Sequence, residues 1–214
     1  AYKPQSSSLG CGQVLPCPYT ADKARIVVQE MIDGISLELV EKRLVTDQLV
    51  LTVGYDIENL TRPEIRKVYK RPVTTDRYGR RVPKHAHGTW NLPRATSSSS
   101  ELLEAMAALY DKIVNPALLI RRMSLSACHV VNEKMAKERE QKETFEQLDL
   151  FTDYAKKEAK EKEEQKKRER ERRMQEALLT IKKKYGKNAV LRGMNFEEGA
   201  TAKERNGQIG GHQA

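Results

Sequence analysis

The sequence lacks the features that mark membrane, secreted and zinc-binding proteins. It has no run of about 18 apolar residues that could span a membrane, and no apolar segment near its amino end has the flanks of a signal peptide. Its three cysteines show neither CxxC nor Cys/His ligand spacing, which argues against a disulfide scaffold or a zinc site. We therefore expect no membrane contact, no metal site and a reducing, cytoplasmic environment.

Apolar residues are also scarce. They make up 38% of the chain and charged residues 32%, against usual shares of about 45–50% and about 25%. With 214 residues, the chain has room for one compact domain of ordinary size plus polar appendages. Because the chain begins with Ala1 rather than Met and a strand pattern follows almost at once, we expect a segment of a longer protein.

The net charge of +9 is concentrated in one segment. Residues 62–94 contain ten basic and two acidic side chains, whereas residues 153–185 contain thirteen basic and eight acidic ones. A basic segment with interleaved aromatic residues, here Tyr69, Tyr78 and Trp90, is typical of surfaces that follow nucleic-acid phosphates. The alternative is a solvated hairpin that is basic only to prevent edge-to-edge strand pairing. We favour nucleic acid because the positive charge exceeds what edge protection requires.

Residues 1–132 carry most of the hydrophobic periodicity. The pattern predicts, in order, a strand at 8–15, a helix at 21–44, a strand at 49–57, an extended basic hairpin at 62–88, a strand at 88–96, a helix at 102–114 and a strand at 123–129. This order predicts an α+β domain of β-α-β-β-α-β type. Such a domain has a four-stranded sheet with two helices on one face, and its other face is open to a partner.

The remainder of the chain is highly polar. We divide it into a linker at 133–152, a charged helix at 153–185 and a tail of unassigned role at 186–214. No apolar residue occurs between Lys160 and Arg173, so we expect this part of the helix to be solvated rather than packed in a core.

One short apolar peptide interrupts the linker. Gln147, Leu148, Asp149, Leu150 and Phe151 stand between highly charged flanks. Exposed apolar side chains in a tether are characteristic of a peptide that docks into a groove of a partner. The alternative is the first turn of the following helix, with apolar side chains at i,i+3 spacing. The residues alone favour neither interpretation.

The sequence shows no recognisable catalytic or metal-binding set. Asp56 and Glu58 have the spacing that places two carboxylates on one face of a strand, as in a two-metal phosphoryl-transfer site. A third carboxylate is not recognisable, and the four histidines lack ligand spacing or a nearby nucleophile. We interpret Asp56 and Glu58 as polar residues at a strand end, and we predict no catalytic residue and no metal ligand.

Several segments together resemble the little-finger domain of Y-family translesion DNA polymerases, and most closely the UmuC-like branch of Gram-positive bacteria. They are residues 10–15, the helix from Ala21, LVLTVGYD at 49–56, GTWNL at 88–92 and IRRMSL at 120–125. Residues 76–89 and the ending GMNFEEGAT at 193–201 are also similar to that branch. The resemblance extends over nearly the whole chain.

The resemblance implies that the open sheet face lies across the DNA major groove and holds the sugar-phosphate backbone. Ser6, Ser7 and Ser8 at the first strand, with Arg121 and Arg122 at the last strand, match positions where such domains meet phosphates. The basic segment completes the predicted DNA-binding set with Arg62, Arg66, Lys67, Lys70, Arg71, Arg77, Arg80, Arg81 and Lys84.

The apolar peptide is similar to the QLxLF peptide that binds the bacterial sliding clamp. In that peptide the residue corresponding to Gln147 makes hydrogen bonds, and those corresponding to Leu150 and Phe151 fill an apolar pocket. With the resemblance in hand, clamp binding is favoured over a first helical turn.

Polymerases of this family use palm-domain carboxylates and Mg²⁺, and these carboxylates lie upstream of the little finger. This chain matches no part of a palm, so we expect no cofactor and no polymerase activity from it alone. The implied function is DNA binding and clamp docking for an error-prone, lesion-bypass polymerase in DNA repair of the SOS type. The alternative is a stand-alone nucleic-acid-binding module whose charged helix engages a protein partner.

Overall fold

The computed structural model describes residues 7–70, 72–76, 78–143, 154–209 and 212–213. The elements in chain order are β1 (Leu9–Tyr19), α1 (Ala21–Glu41), β2 (Leu44–Tyr55), α2 (Glu58–Thr61), α3 (Pro63–Val68), β3 (Val73–Thr75), β4 (Arg81–Pro83), β5 (Ala86–Thr96), α4 (Ser99–Ile113), β6 (Ile120–Cys128), β7 (Val131–Asn132), α5 (Glu133–Glu143), α6 (Tyr154–Tyr185), a 3-10 helix (Gly193–Phe196), α7 (Ala202–Arg205), β8 (Gln208–Ile209) and β9 (His212–Gln213).

The central sheet is antiparallel, with the strand order β1-β6-β2-β5, and the short β7 pairs with the start of β2. Leu51 at the centre of β2 lies opposite Leu125 of β6 on one side and Gly88 of β5 on the other. A structure of mixed helices and strands around one antiparallel sheet confirms the predicted α+β class. Within the described part of the chain, no helix is both long enough and apolar enough to span a membrane.

One face of the sheet is apolar and is covered by α1 and α4. Leu49, Leu51 and Val53 alternate along β2 on this face, and each is completely buried. Helix α4 begins at Ser99, because Ser98 Oγ accepts a hydrogen bond from the backbone N of Glu101 at 3.3 Å and so caps the helix. The apolar faces of α1 and α4 close a single core with the sheet.

Helix α4 approaches the sheet closely at Gly88. A Cβ atom at this position would lie 2.7 Å from Ile113 Cγ2 and 2.9 Å from Leu109 Cδ1. Glycine is therefore required for the observed distance between α4 and β5.

The segment between β2 and β5 is only partly a hairpin. The extended hairpin predicted over 62–88 is limited to β3 and β4, and its turn contains Gly79 at a φ of +78°. The preceding residues form α3, with Pro63 at its first turn, where the missing N–H of proline is tolerated. Pro63 followed by Glu64 is a local signal for the start of a helix. The high content of basic residues in this segment obscured that signal.

The sequence predicts a solvated helix between Lys160 and Arg173, but the following turn of α6 and its neighbour Glu171 pack against the domain. Gln175 is 2% exposed, and its Nε2 donates to Ser97 O at 3.0 Å and to Ser99 Oγ at 2.8 Å. Glu171 accepts hydrogen bonds from Ser98 Oγ at 2.7 Å and from the backbone N of Ser100 at 2.8 Å. The helix therefore docks on the first turn of α4 through polar contacts.

The residues after α6 pack along α1. The carboxylate of Glu30, which is 3% exposed, accepts hydrogen bonds from Asn195 Nδ2 at 2.8 Å, Thr201 N at 2.8 Å and Ala202 N at 3.0 Å. One turn further along α1, Asp33 Oδ1 lies 2.8 Å from a guanidinium nitrogen of Arg192. The segment 192–202 is thus held against the helical layer, on the side opposite the open sheet face.

Candidate nucleic-acid interface

The sheet face opposite the helices is open and largely polar. Arg122 and Ser124 of β6 are exposed on this face, between neighbours that are buried in the core. Strand pairing places Thr52 of β2 opposite Ser124, and His87 of β5 opposite Thr52. We call this surface the open face; it comprises Gly10, Gly12, Val14, Gln48, Val50, Thr52, Gly54, His87, Thr89, Asn91, Arg122, Ser124 and Ser126.

Arg122 lies across the sheet because its neighbour on β2 is glycine. A Cβ atom on Gly54 would lie 2.6 Å from Arg122 Cγ and 2.7 Å from its Nε. Any larger residue at Gly54 would push the arginine away. The side chain of Arg122 therefore lies close to the plane of the strands, where it would contact a backbone phosphate bound on the open face.

Cross-strand hydrogen bonds fix two further pairs of side chains on this face. Thr52 Oγ1 and His87 Nδ1 are 2.9 Å apart, and Gln48 Nε2 donates to Asn91 Oδ1 at 2.9 Å. Hydroxyl, imidazole and amide groups are suited to sugar and phosphate oxygens. They also pre-order the surface, because their rotamers are set before a ligand arrives.

Residues 62–88, which contain nearly all of the basic segment's cations, leave the sheet at the same end as Arg122. Strand β2 ends at Tyr55, which pairs with Ile120, and β5 begins at Ala86 opposite Val53. Arg121 is the extra residue of β6 between the pairs Gly54–Arg122 and Tyr55–Ile120, so it lies at this end too. The register therefore joins the basic segment and the two arginines of β6 at one end of the sheet.

Most basic side chains of this segment are exposed and have no ion-pair partner among the described residues. They are Arg66, Lys67, Lys70, Arg81 and Lys84. A cluster of unneutralised cations on one end of a polar face can bind several phosphates and release their counterions.

Three of the predicted DNA-binding side chains already have an ion-pair partner within the chain. One is Arg121, whose Nε lies 3.9 Å from Asp56 Oδ2, and the others are Arg62 and Arg80. Arg62 pairs with Glu58 at 2.6 Å. Asp76 closes the β3–β4 turn, because it accepts hydrogen bonds from the backbone N of Tyr78 and of Arg80 at 2.9 Å, and it also binds the Arg80 guanidinium at 2.8 Å. The Arg80 guanidinium lies 5.2 Å from the centre of the Tyr78 ring as well. Arg80 therefore stabilises the hairpin turn, whereas its neighbour Arg81 has no ion-pair partner among the described residues.

The structure does not bring together the two groups of contacts that the family resemblance implies. Ser8 precedes Leu9, which pairs with Ala127, whereas Arg122 pairs with Val14, five residues further along β1. Five residues of strand separate Ala127 from Arg122, or roughly 17 Å. Ser8 and Arg122 thus lie near opposite ends of β6, as two contacts along one nucleic-acid backbone would. The backbone O of Ser7 accepts a hydrogen bond from Val130 N at 3.0 Å.

Several predicted residues lie outside the described part of the chain. They are Ser6, Arg71 and Arg77 of the DNA-binding set and the whole clamp-binding peptide, Gln147, Leu148, Asp149, Leu150 and Phe151. The neighbouring elements α5 and α6 end and begin at Glu143 and Tyr154.

Asp56 and Glu58 have structural partners. Asp56 Oδ1 accepts a hydrogen bond from Glu58 N at 2.8 Å, and β2 ends before both residues. Below them, the buried Asn59 donates to Asp56 O and to Leu119 O at 2.8 Å and so ties this corner to the strand β6. No group of three or more potential metal ligands occurs in the portion of the chain that the structure describes.

Sequence reasoning missed the polar residues of β2 and β5 on the open face. The alternation of β2 was visible, and it placed Val50 and Thr52 on the face opposite Leu51. What joins Thr52 to His87 and Gln48 to Asn91 is the register of β2 against β5, which no local pattern specifies.

Comparison with known proteins gives distant structural likenesses but no match in sequence. No family model matches the chain, and no curated protein matches its sequence. A solved complex of the beta-clamp processivity factor and the little finger domain of PolIV is similar in fold, with a TM-score of 0.38 and 9% sequence identity, over 68% of this chain and 100% of that one. Both values are low, so the functional interpretation depends on the contacts described above.

Proposed function

We propose that this chain is the DNA-gripping and clamp-docking C-terminal region of an error-prone lesion-bypass DNA polymerase of the Y family. The resemblance of its motifs favours the UmuC-like branch of Gram-positive bacteria, and hence a cytoplasmic role in DNA repair of the SOS type. The region would hold the primer–template duplex, while the catalytic carboxylates and their Mg²⁺ would belong to a palm domain elsewhere in the polymerase.

The observation that carries the proposal is a group of exposed cations that have no ion-pair partner among the described residues. Arg66, Lys67 and Arg81 are exposed beside the end of a polar sheet face, and Arg122 lies on that face. The opposite face is covered by α1 and α4, and the outer side of α1 by residues 192–202. The open face is therefore the broad surface with both the polarity and the charge for a duplex backbone.

The salt dependence of duplex binding tests the DNA interface. Each lost phosphate contact should reduce the slope of log K against log salt by about one. We expect the variant Arg66→Ala/Lys67→Ala/Arg81→Ala to lose about two to three in slope on a primer–template duplex. The exposed helix residues changed in Lys166→Ala/Lys167→Ala provide the control, and this variant should keep the wild-type slope. If the two variants had equal slopes, the basic segment would not be part of the DNA interface.

Clamp docking is tested with the apolar peptide. Exposed leucine and phenylalanine side chains contribute to binding by entering an apolar pocket, so Leu150→Ala/Phe151→Ala should abolish capture by a bacterial sliding clamp. Phe145→Ala, an apolar change in the same stretch of sequence, should retain capture. Unfolding at a lower temperature in the double variant, with capture retained, would mean that the peptide packs within this chain instead.

Catalysis is tested directly by primer extension. The purified chain, with Mg²⁺ and nucleotides, should extend no primer, because the strand-end carboxylates Asp56 and Glu58 are held by hydrogen bonding and by Arg62. Incorporation by the purified chain that is lost in Asp56→Asn would overturn this part of the proposal.

A further inference from the structure

A pocket of about 310 Å³ lies where the basic segment meets the C-terminal end of α4. Its walls include Tyr55, Tyr69, Lys84, His85, His87 and Ile113. Two tyrosines, two histidines and one lysine therefore line a space at the edge strand β5. Lys84 and His87 also belong to the proposed DNA interface, but that interface gives no role to the pocket that they share with the tyrosines.

The two tyrosines are held in place by their hydroxyl groups. Tyr55, which is 7% exposed, accepts a hydrogen bond from Asn115 N at 2.9 Å. Tyr69 OH donates to Pro72 O at 2.8 Å and so fixes the turn that follows α3. The polar end of each ring is satisfied within the protein, so what each can offer to a ligand is its apolar ring surface.

Polar groups connect the pocket to the open face. His87 belongs to both, and its Nδ1 is 2.9 Å from Thr52 Oγ1 on the open face. Lys84 is anchored by its backbone N, which donates to Pro72 O at 3.0 Å, and its exposed ammonium has no ion-pair partner among residues that the structure describes. A ligand with a flat ring and an adjoining phosphate would satisfy both parts of the pocket.

The size and chemistry favour a nucleobase over the other flat or apolar groups. A space of about 310 Å³ is large enough to hold one base. Every base has a π-face, so aromatic walls bind it with little dependence on sequence. An apolar peptide side chain would pack on the tyrosine rings but would make no contact that requires Lys84 or the two histidines.

We propose that this pocket binds one unpaired nucleobase of the DNA that lies on the open face, with Tyr69 stacking on the base and Lys84 meeting its phosphate. The inference rests on the proposed function, because the base must arrive with a bound duplex. The pocket at the edge of β5 would therefore make the chain prefer duplexes that contain a bulged or unstacked base.

The test compares two 20-base-pair duplexes that differ by a single unpaired 2-aminopurine. Stacking of one base on an aromatic side chain changes affinity by roughly 5- to 100-fold, and we expect the whole chain to bind the bulged duplex about tenfold more tightly than the paired one. Moving the bulge along the duplex locates the position that reaches the pocket, and stacking on Tyr69 should change the 2-aminopurine fluorescence.

Variants at the pocket separate stacking from a structural effect. Tyr69→Leu should abolish the preference for the bulged duplex over the paired one, whereas Tyr69→Phe, which keeps the ring, should retain the preference. Lys84→Ala should weaken binding of the bulged duplex more than that of the paired one, and it serves as the test if Tyr69→Leu fails to fold.

The outcomes distinguish the pocket from the interface. Equal affinity of the wild-type chain for bulged and paired duplexes at every bulge position would overturn the pocket and leave the DNA interface standing. Failure to bind either duplex would overturn the proposed function itself. A preference for the bulge that survives both Tyr69→Leu and Lys84→Ala would place the unpaired base elsewhere.

Discussion

The basic segment and the C-terminal part of the chain are both rich in charge, yet the fold uses them in opposite ways. In the basic segment, Arg66, Lys67 and Arg81 remain exposed without ion pairs among the described residues. In the C-terminal part, Glu171 and Gln175 bind the first turn of α4. Composition alone therefore does not decide whether a charged segment packs.

The difference is one of pairing. A segment with one sign of charge has few partners within its own chain, and two of the nearby acids, Glu58 and Asp76, are paired with Arg62 and Arg80. The C-terminal part mixes both signs with amides, and it meets backbone N–H groups and hydroxyls that need acceptors. Polar docking of this kind is stable because buried donors and acceptors are mutually satisfied. The unpaired cations are then available to an external anion.

The largest expected effect comes from the carboxylate that holds residues 192–202. Glu30→Ala removes a buried acceptor and leaves the backbone N–H groups of Thr201 and Ala202 unsatisfied. We expect the free energy of unfolding to fall by about 2–4 kcal/mol, measured by urea denaturation. Trypsin should also cleave after Arg192 more rapidly, because that residue lies within the released segment.

A control for this prediction lies on the same helix. Glu38 is half-exposed and pairs with Lys42 one turn later, so Glu38→Ala should change the free energy of unfolding by less than about 0.5 kcal/mol. Similar losses for Glu30→Ala and Glu38→Ala would show that the C-terminal segment contributes nothing to the stability of the domain, and the contrast drawn above would fail.

The docking of residues 192–202 illustrates what the sequence could not reveal. The strand β2 and the start of α4 were predictable, because alternation at Leu49, Leu51 and Val53 and the cap at Ser98 are local signals. The bond from Thr201 to Glu30 joins residues 171 positions apart and leaves no periodic trace.

The candidate interface was predictable in the same partial way. Its charge could be counted along the chain, but the separation of engaged Arg80 from available Arg81 depends on the geometry of the Asp76 turn. The polar pairs of the open face depend on strand register, which is set by the whole sheet rather than by any one strand.

The contributions of Asp33 and Asp111 to stability should change with pH in opposite directions. The comparison shows whether burial or ion pairing dominates the pKa of each carboxyl group. Burial raises the pKa of Asp33, and Arg192 offsets this only in part. The hydrogen bond from Arg25 holds the pKa of Asp111 below its usual range. A raised folded-state pKa means that the folded chain binds the proton more tightly, so this contribution to stability grows as pH falls through the raised pKa. A lowered pKa has the reverse sign, and its contribution is lost as pH falls through the lowered value.

The measurement is the free energy of unfolding as a function of pH for each asparagine variant and the wild type. Relative to Asp33→Asn, the wild type should gain stability as the pH falls through the acidic range in which Asp33 takes up its proton. Relative to Asp111→Asn, it should lose stability as the pH falls further. If both differences run in the same direction, then burial does not dominate at Asp33.

The smallest expected effect on stability belongs to the basic segment, and it is the sharpest check on the comparison. Arg66→Ala/Lys67→Ala/Arg81→Ala removes three exposed side chains without partners among the described residues, so the free energy of unfolding should stay within about 1 kcal/mol of the wild type. Arg80→Ala should lower the melting temperature more than Arg81→Ala, because Arg80 binds Asp76 across the turn. If the triple variant instead unfolded at low urea concentration, its cations would be part of the fold, and their assignment to an external phosphate backbone would be withdrawn. A stable triple variant with a reduced salt slope would mean that the same positive charge is dispensable for folding and required for binding.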